Sequence, residues 1–319
     1  MNLRKIIFEL HKILGLTTGI VVFIVAITGC CWAFRDEIES LYDDYKKVSP
    51  QNKPILTPTE AKMYAMEVFP NNHVHGTLFK KADDAIEVIF YDPEPEFYQS
   101  VFLNPYTGEV IQVDDHLSGF FAFILKGHMR LWLPKEIGEQ VVGASILIFM
   151  VIILSGIFLW IPKKRKNLKQ RLGFNWKDST RWKRKNFDLH TVIGFYICSL
   201  ALILAFTGSV MSYNWMKYVL YKSLGGDKEA AFIIPENIGT ANINDDVKPM
   251  DLLIPKLWAA SPNAESFELH YPKSEDESIY VEVSNSSGLY YDSDFRFFDQ
   301  HTLEEIETPG IYGKYEDAK

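Results

Sequence analysis

Residues 9–29, ELHKILGLTTGIVVFIVAITG, form a long apolar stretch that opens with a histidine. A second stretch, DLHTVIGFYICSLALILAFTG at residues 188–208, aligns with the first without a gap at an offset of 179 residues. The identical positions in the two stretches are Leu10, His11, Gly15, Ile24, Ala26, Thr28 and Gly29, matched by Leu189, His190, Gly194, Ile203, Ala205, Thr207 and Gly208. The histidine recurs together with its neighbours, which argues against a chance core residue.

Three segments of this 319-residue chain are apolar and long enough to cross a bilayer. They cover residues 13–34, 141–161 and 192–213, each close to the roughly 20 residues that a spanning helix needs. The sequence therefore predicts a membrane protein.

The positions of the basic residues predict how these spans are oriented. Lysine and arginine are concentrated before the first span and between residues 162 and 189, and short basic loops stay on the cytoplasmic side. Residues 35–140 and those after 214 are then expected outside, where most of the 41 acidic residues fall. We interpret the basic loop as a topology signal and lipid anchor rather than a nucleic-acid site.

The cysteines give no disulfide framework, because Cys30, Cys31 and Cys198 all lie within predicted spans. The sequence ITGC at residues 27–30 resembles a lipoprotein signal that would be cleaved before Cys30. However, the apolar run continues through Trp32 and Phe34, and its pattern recurs in mid-chain. We therefore expect the first span to be retained.

Both outer segments have the pattern of a small α+β domain. A helix-like stretch precedes alternating strand-like runs in each, with Thr57 or Thr59 as the expected N-cap of the first helix. We predict a tandem duplication, in which a fourth span would follow the second outer domain. Either the chain is truncated at Lys319 or the second unit has lost that helix. The predicted parts are a first span (1–34), an outer domain (35–118), an amphipathic segment with the second span (119–161), a basic loop (162–189), a third span (190–213) and a second outer domain (214–319).

The repeated histidines lie beside a stripe of small residues. Gly15 is one helical turn after His11, and Gly29 is 18 residues, or about five turns, after it; Gly194 and Gly208 have the same spacing from His190. Such a stripe could simply allow close helix packing. It could also leave room for a flat cofactor, and two imidazoles from two helices can hold a haem iron from both sides. Zinc is less favoured, because further ligands at suitable spacing are missing.

Other histidines suggest weaker sites. His128 lies in an amphipathic segment before the second span, and we expect Gly29 and Gly208 to flank a second, outer haem at its level. His73 and His75 alternate as strand neighbours would, so they could bind a metal weakly or lie on a solvated face. The sequence has no catalytic triad pattern, phosphate-binding loop, or flavin or nicotinamide fingerprint, so any electrons must come from an external donor.

The paired LHxxxG and TG motifs, together with RWKRKNFDLH (181–190), GHMRLWLPKEIGEQVVG (127–143) and FLNPYTGEVIQV (102–113), resemble the PepSY-associated transmembrane helix family. This family includes iron-regulated inner-membrane proteins and ferric-siderophore reductases. The resemblance implies a four-helix core, PepSY-like periplasmic domains and, in the reductase branch, haem b held by helix histidines. Carried over to this chain, the iron ligands are His11, His190 and His128.

Two functions are compatible with these features. The first is a haem-containing inner-membrane oxidoreductase, with one or two b-type haems, that passes electrons from an unidentified donor to a ferric chelate in the periplasm. The alternative is a non-enzymatic membrane anchor whose PepSY-like domains bind a peptidase, a peptide or an envelope protein. The expected partners are membrane lipids and a ferric chelate, without nucleic acid.

Overall fold

A computed structural model describes residues 2–163, 168–228, 232–239, 248–285 and 293–310. It divides into two compact units. Unit 1 comprises Met1–Ala33 and Phe123–Gly226, and unit 2 comprises Phe34–Ala122 and Asp227–Lys319. Part of the basic loop, residues 164–167, lies outside the described residues, as do residues 240–247, 286–292 and 311–319 of the predicted second outer domain.

Unit 1 contains three helices that are long and apolar enough to cross a membrane: α1 (Leu3–Ala33), α5 (Lys135–Trp160) and α6 (Trp182–Ser212). They confirm the three predicted spans, although each begins earlier than its apolar run. His11 is eight residues after the start of α1, and His190 is eight after the start of α6. Each histidine therefore lies about two turns, or roughly 12 Å, inside its helix.

Helix α5 packs against both α1 and α6. Its buried residues include Gly138, Gly143 and Ser145, small side chains that allow membrane helices to approach closely. Large apolar side chains on the outer helices stay exposed, among them Leu16 at 78% and Ile20 at 69%. Such surfaces are unfavourable in water and are typical of helices that face lipid.

Two shorter helices accompany the spans. Helix α4 (Gly119–Arg130) carries His128, and α7 (Asn214–Ser223) follows α6. After α4 the chain reverses at Trp132, whose φ of 59° is in the left-handed region. The indole packs over Gly127 and donates from Nε1 to the carbonyl oxygen of Phe123 at 2.8 Å. A β-carbon at Gly127 would overlap this ring, so glycine is required there.

Unit 2 is an α+β unit. It contains the short helix α2 (Arg35–Glu39), α3 (Pro58–Val68) and α8 (Leu253–Ala260), with 3-10 turns at Asp44–Lys46 and Pro249–Leu252. Thr57 caps α3 as predicted: it forms a capping box with Glu60, and Pro58 occupies the first turn. The strands are β1 (Val74–Phe79), β2 (Ile86–Pro93), β3 (Glu96–Leu103), β4 (Val110–Asp115), β5 (Ser266–His270), β6 (Ile279–Ser284), β7 (Ser293–Phe298) and β8 (Glu305–Ile306).

All eight strands belong to one antiparallel sheet, in the order β4-β3-β2-β1-β5-β6-β7-β8. The two outer segments meet where β1 pairs with β5. One hydrophobic core includes residues of both segments, such as Phe90 and Leu103 from the first and Phe267 and Leu257 from the second. The predicted separation into two outer domains is therefore corrected, because the segments form one unit. The edge strand β1 of the first half of the sheet pairs with the edge strand β5 of the second half.

A buried hydroxyl network joins the two segments at this seam. Thr77 Oγ1 of β1 lies 2.8 Å from the hydroxyl of Tyr271, which donates to the carbonyl oxygen of Pro58 at 2.9 Å. In addition, the backbone N–H of Thr59 donates to Asp251 Oδ1 at 2.9 Å, so a carboxylate from the second segment binds the first turn of α3. These bonds fix α3 and both central strands together.

Candidate functional site

The structure brings His11 and His190 together within unit 1. Their ring centres are 6.2 Å apart and their planes are inclined by 68°. His11 is half-buried on α1, and His190 is exposed on α6. The two rings come from the equivalent turns of the two helices, which is the arrangement that the repeated sequence suggested.

This separation suits two imidazoles that bind one metal ion from opposite sides. A metal–nitrogen bond is about 2 Å long and the ring centre lies roughly 1 Å further on, so two ligands facing each other across an ion have ring centres about 6 Å apart. The observed 6.2 Å matches this value. Edge-to-face ring pairs also have centres about 4.5–7 Å apart, so the distance permits an ion between the rings and does not by itself require one.

Ser155 on α5 determines which nitrogen of His11 is available. Its Oγ lies 2.9 Å from His11 Nδ1 and donates its own hydrogen to the carbonyl oxygen of Ile152 at 2.8 Å. A serine hydroxyl has one hydrogen, and with that hydrogen on the Ile152 carbonyl we assign Nδ1 of His11 as the donor in the first bond. The neutral tautomer then carries its lone pair on Nε2, the atom that is left to bind a metal.

Small residues surround the histidine pair. A β-carbon at Gly156 would lie 3.2 Å from Cε1 of His11, so this glycine lets the ring lie close to α5. Gly194 lines the adjacent cavity, and a β-carbon there would meet nothing within 4 Å. A β-carbon at Gly15 would also meet nothing within 4 Å, but Gly15 is not among the residues that line the cavity. The space beside the histidine pair is therefore at Gly156 and Gly194.

The two histidines lie in the wall of a cavity of about 990 Å³. This volume is at the upper end of the range of about 300–1,000 Å³ that small-molecule and cofactor pockets occupy. Most of its lining is apolar or aromatic, including Phe8, Phe149, Ile153, Trp160, Phe195 and Ala201. The basic residues Arg4, Lys5, Lys12 and Arg171 also line it. The cavity could therefore hold a large apolar molecule that carries negative charge.

Two of these basic residues are held in place by the end of α5. Arg4 donates to the carbonyl oxygens of Leu159 and Ile161, the latter at 3.0 Å. Arg171 donates to the carbonyl oxygens of Leu159, at 3.2 Å, and Trp160. Guanidinium groups at a helix C-terminus satisfy its unpaired carbonyls and interact favourably with its dipole. They also place positive charge at this part of the cavity wall.

The structure does not bring His128 together with the His11–His190 pair. Its Nδ1 donates to the carbonyl oxygen of Val25 at 2.9 Å, and a β-carbon at Gly29 would lie 2.9 Å from its Cε1. Gly29 therefore makes room for the His128 ring itself. Gly208 faces Ile146 of α5, whose Cδ1 would be 3.6 Å from a β-carbon there. An outer haem at the level of His128 stays a prediction.

Sequence reasoning missed Ser155 and Gly156 as parts of this site. One signal could have identified them: a serine followed by glycine in the middle of an otherwise apolar span, where polar residues usually face the bundle interior. Arg171 could not have been selected among the many basic residues of its loop, because only the folded chain shows which of them reaches α5.

Comparison with known proteins identifies the family. The family model described as the PepSY-associated TM region matches residues 8–299, nearly the whole chain. No curated protein matches at a significant level. The match includes all three spanning helices and most of the sheet, and the chain therefore belongs to the PepSY-associated TM region family.

Proposed function

We propose that this protein is a haem-containing oxidoreductase of the bacterial inner membrane that passes electrons outward to ferric chelates. The observation that carries the proposal is the pair His11 and His190, with ring centres 6.2 Å apart in the wall of a cavity of about 990 Å³. The haem site is inferred from this pair, and the orientation of the helices in the membrane is inferred from the distribution of basic residues.

The residues present fit a haem b. His11 and His190 would hold the iron, Ser155 orients the His11 ring, and Gly156 and Gly194 leave space beside the ligands. The apolar lining excludes water, while Arg4, Lys5, Lys12 and Arg171 offer positive charge to propionate groups. A bound haem supplies one-electron transfer between its ferric and ferrous states.

The basic residues near the histidine ends of α1 and α6 support a cytoplasmic location for those ends, and unit 2 would then be periplasmic. Electrons from a cytoplasmic or membrane donor would then leave toward the periplasm. His128 is the proposed ligand of a second haem, whose other ligand would come from a fourth span of the tandem repeat. Each ferric ion reduced takes up one electron, and ferrous iron is held more weakly by the hard oxygen ligands typical of ferric chelates.

The test uses the full chain purified in detergent without a polyhistidine tag. We expect a dithionite-reducible b-type spectrum, reoxidation of the reduced protein by ferric citrate, and one ferrous ion trapped per electron. Bound haem that ferric citrate fails to reoxidise would contradict the reductase proposal. A colourless, folded protein that captures a periplasmic partner would instead support the membrane-anchor function.

A further inference from the structure

The face of the sheet opposite α3 and α8 carries a second cluster of ligand-type side chains, which lies entirely within unit 2. His75 of β1 and Glu268 and His270 of β5 each offer one ligand atom, and these atoms all lie within 4.8 Å of one another. The rings of His75 and His270 have centres 4.8 Å apart and are nearly perpendicular. His270 Nε2 is 3.4 Å from Glu268 Oε1.

The backbone explains why these residues meet. Glu268 and His270 are two positions apart on β5, so they project from the same face. On the neighbouring strand β1 the register shifts between Val74 and Gly76, which is a bulge that contains His75. Gly76 lies opposite His270, and a β-carbon there would be 3.2 Å from Glu268 Oε1 and 3.3 Å from His270 Nδ1. The glycine keeps the space beside both ligand atoms open.

His270 is buried without a hydrogen-bonding partner. The residue is only 4% exposed, and neither of its ring nitrogens has a hydrogen bond among the described residues. Buried polar atoms nearly always have a hydrogen-bonding partner, and leaving one without a partner is destabilising. Its ring stacks on Tyr280 at 3.9 Å, so the imidazole is held in one orientation. A fixed imidazole whose nitrogens make no hydrogen bond is well suited to bind a ligand.

A third observation is the pairing of two carboxylates. Glu268 and Glu282 are directly opposite each other on β5 and β6, and Glu282 Oε1 is 3.6 Å from His270 Nε2. Carboxylate oxygens beside an imidazole nitrogen are ligands that divalent transition metals accept. His270 Nε2 is thus in salt-bridge range of both carboxyl groups.

We propose that His75, Glu268 and His270 bind a divalent first-row transition metal ion, with Glu282 as a fourth, adjacent carboxylate. Two imidazoles and one carboxylate are an established donor set for zinc and for ferrous iron, and they leave a coordination position open. The site is separate from the His11–His190 pair and does not depend on haem.

The experiment is a calorimetric titration of the full, untagged, EDTA-treated chain with Zn²⁺. Wild-type protein should bind one Zn²⁺ at this site and gain thermal stability. We expect His75→Ala and Glu268→Gln each to lower the affinity for Zn²⁺ by at least about tenfold. Replacing a residue that only supports a metal ligand typically lowers metal affinity about 10–100-fold, and the loss of a ligand itself should cost no less. Haem content, measured by absorbance, should not change in either variant.

Two histidine variants serve as controls. His301→Ala removes an imidazole elsewhere in unit 2, and His73→Ala removes the histidine that the sequence pairs with His75 but that is not in the cluster. Both should bind Zn²⁺ as the wild type does. Folded wild-type protein that binds no Zn²⁺ would overturn the proposal. So would equal affinity in His75→Ala, Glu268→Gln and the two controls.

Discussion

Ser155 Oγ of α5 lies 2.9 Å from Nδ1 of His11 on α1 and 2.8 Å from the carbonyl oxygen of Ile152. With the serine hydrogen on that carbonyl, we assign Nδ1 of His11 as the donor to Ser155. This relationship links α1 to α5 and leaves Nε2 of His11 free to coordinate. Residues that orient a ligating histidine in this way contribute to both the affinity and the electronic properties of a metal centre.

The Ser155→Ala variant should therefore retain both histidines but bind haem about 10–100-fold more weakly. Without the serine oxygen, the His11 ring loses the acceptor that fixes its tautomer and its orientation. Haem titration monitored by absorbance, with the midpoint potential measured in parallel, checks this. Ser209→Ala is the matched control, because Ser209 is also buried in a span but bonds only to the Phe206 carbonyl of its own helix. Equal affinity in the two variants would contradict the role given to Ser155.

Gly156 is expected to be sensitive to size. A β-carbon there would already lie 3.2 Å from Cε1 of His11, and the further methyl groups of valine would displace the ring. We expect Gly156→Val to weaken haem binding by roughly tenfold or more. In Gly19→Val, the control on α1, the added β-carbon meets nothing within 4 Å, so haem titration should give the wild-type affinity. Loss of affinity in both variants would indicate a general effect on the helices instead.

The Tyr271 hydroxyl should stabilise unit 2. In Tyr271→Phe, Thr77 loses its side-chain partner and the Pro58 carbonyl loses a donor, both at buried positions. A loss of about 1–3 kcal/mol in the free energy of unfolding is expected, since buried polar groups are left unsatisfied. Denaturant unfolding followed by tyrosine and tryptophan fluorescence measures it. An unchanged transition midpoint would show that the seam between β1 and β5 does not depend on this network.

Asp299 should make stability depend on acid pH. Burial acts to raise the pKa of its carboxyl, but the backbone N–H groups of Thr302, Gly239, His301 and Ile238 donate to it and lower the pKa to about 2. The unfolded value is about 3.9, so the stabilisation is complete above about pH 4 and is lost as the pH falls to about 2.

The Asp299→Asn variant removes this carboxylate and its dependence on pH. It should be less stable than the wild type at pH 7, and the difference should narrow as the pH falls from about 4 toward 2. Thermal unfolding of both proteins across this range tests the expectation. A difference in melting temperature that is constant with pH would contradict it.

Local patterns in the sequence were enough to predict the three spans and most of the strands, and to limit the N-cap of α3 to Thr57 or Thr59, of which the structure shows Thr57. Each of these features depends on residues close together in the chain, such as the alternation in β2 or the capping pair Thr57 and Glu60. The union of both outer segments in one sheet was not predicted. Period-two patterns identify strands but carry no information about which distant strand pairs with which, here β1 with β5.

The candidate sites show the same limit. The repeat predicted that His11 and His190 belong together, because equivalent positions on duplicated helices tend to face the same interior. Ser155 is on a different helix, and its role depends on a contact across 144 positions of the chain. The cluster at His75 was paired in the sequence with His73, whereas the sheet register brings it to His270.

The most direct test of the account is the ligation state of haem in the purified full-length protein. Electron paramagnetic resonance of the ferric form should show a low-spin signal from an iron held by two histidines. His11→Ala and His190→Ala should each remove the component of that signal that belongs to the haem between these two histidines, while the His301→Ala control should keep it. A folded protein without haem, or a bis-histidine signal that is undiminished in both His11→Ala and His190→Ala, would contradict the central claim.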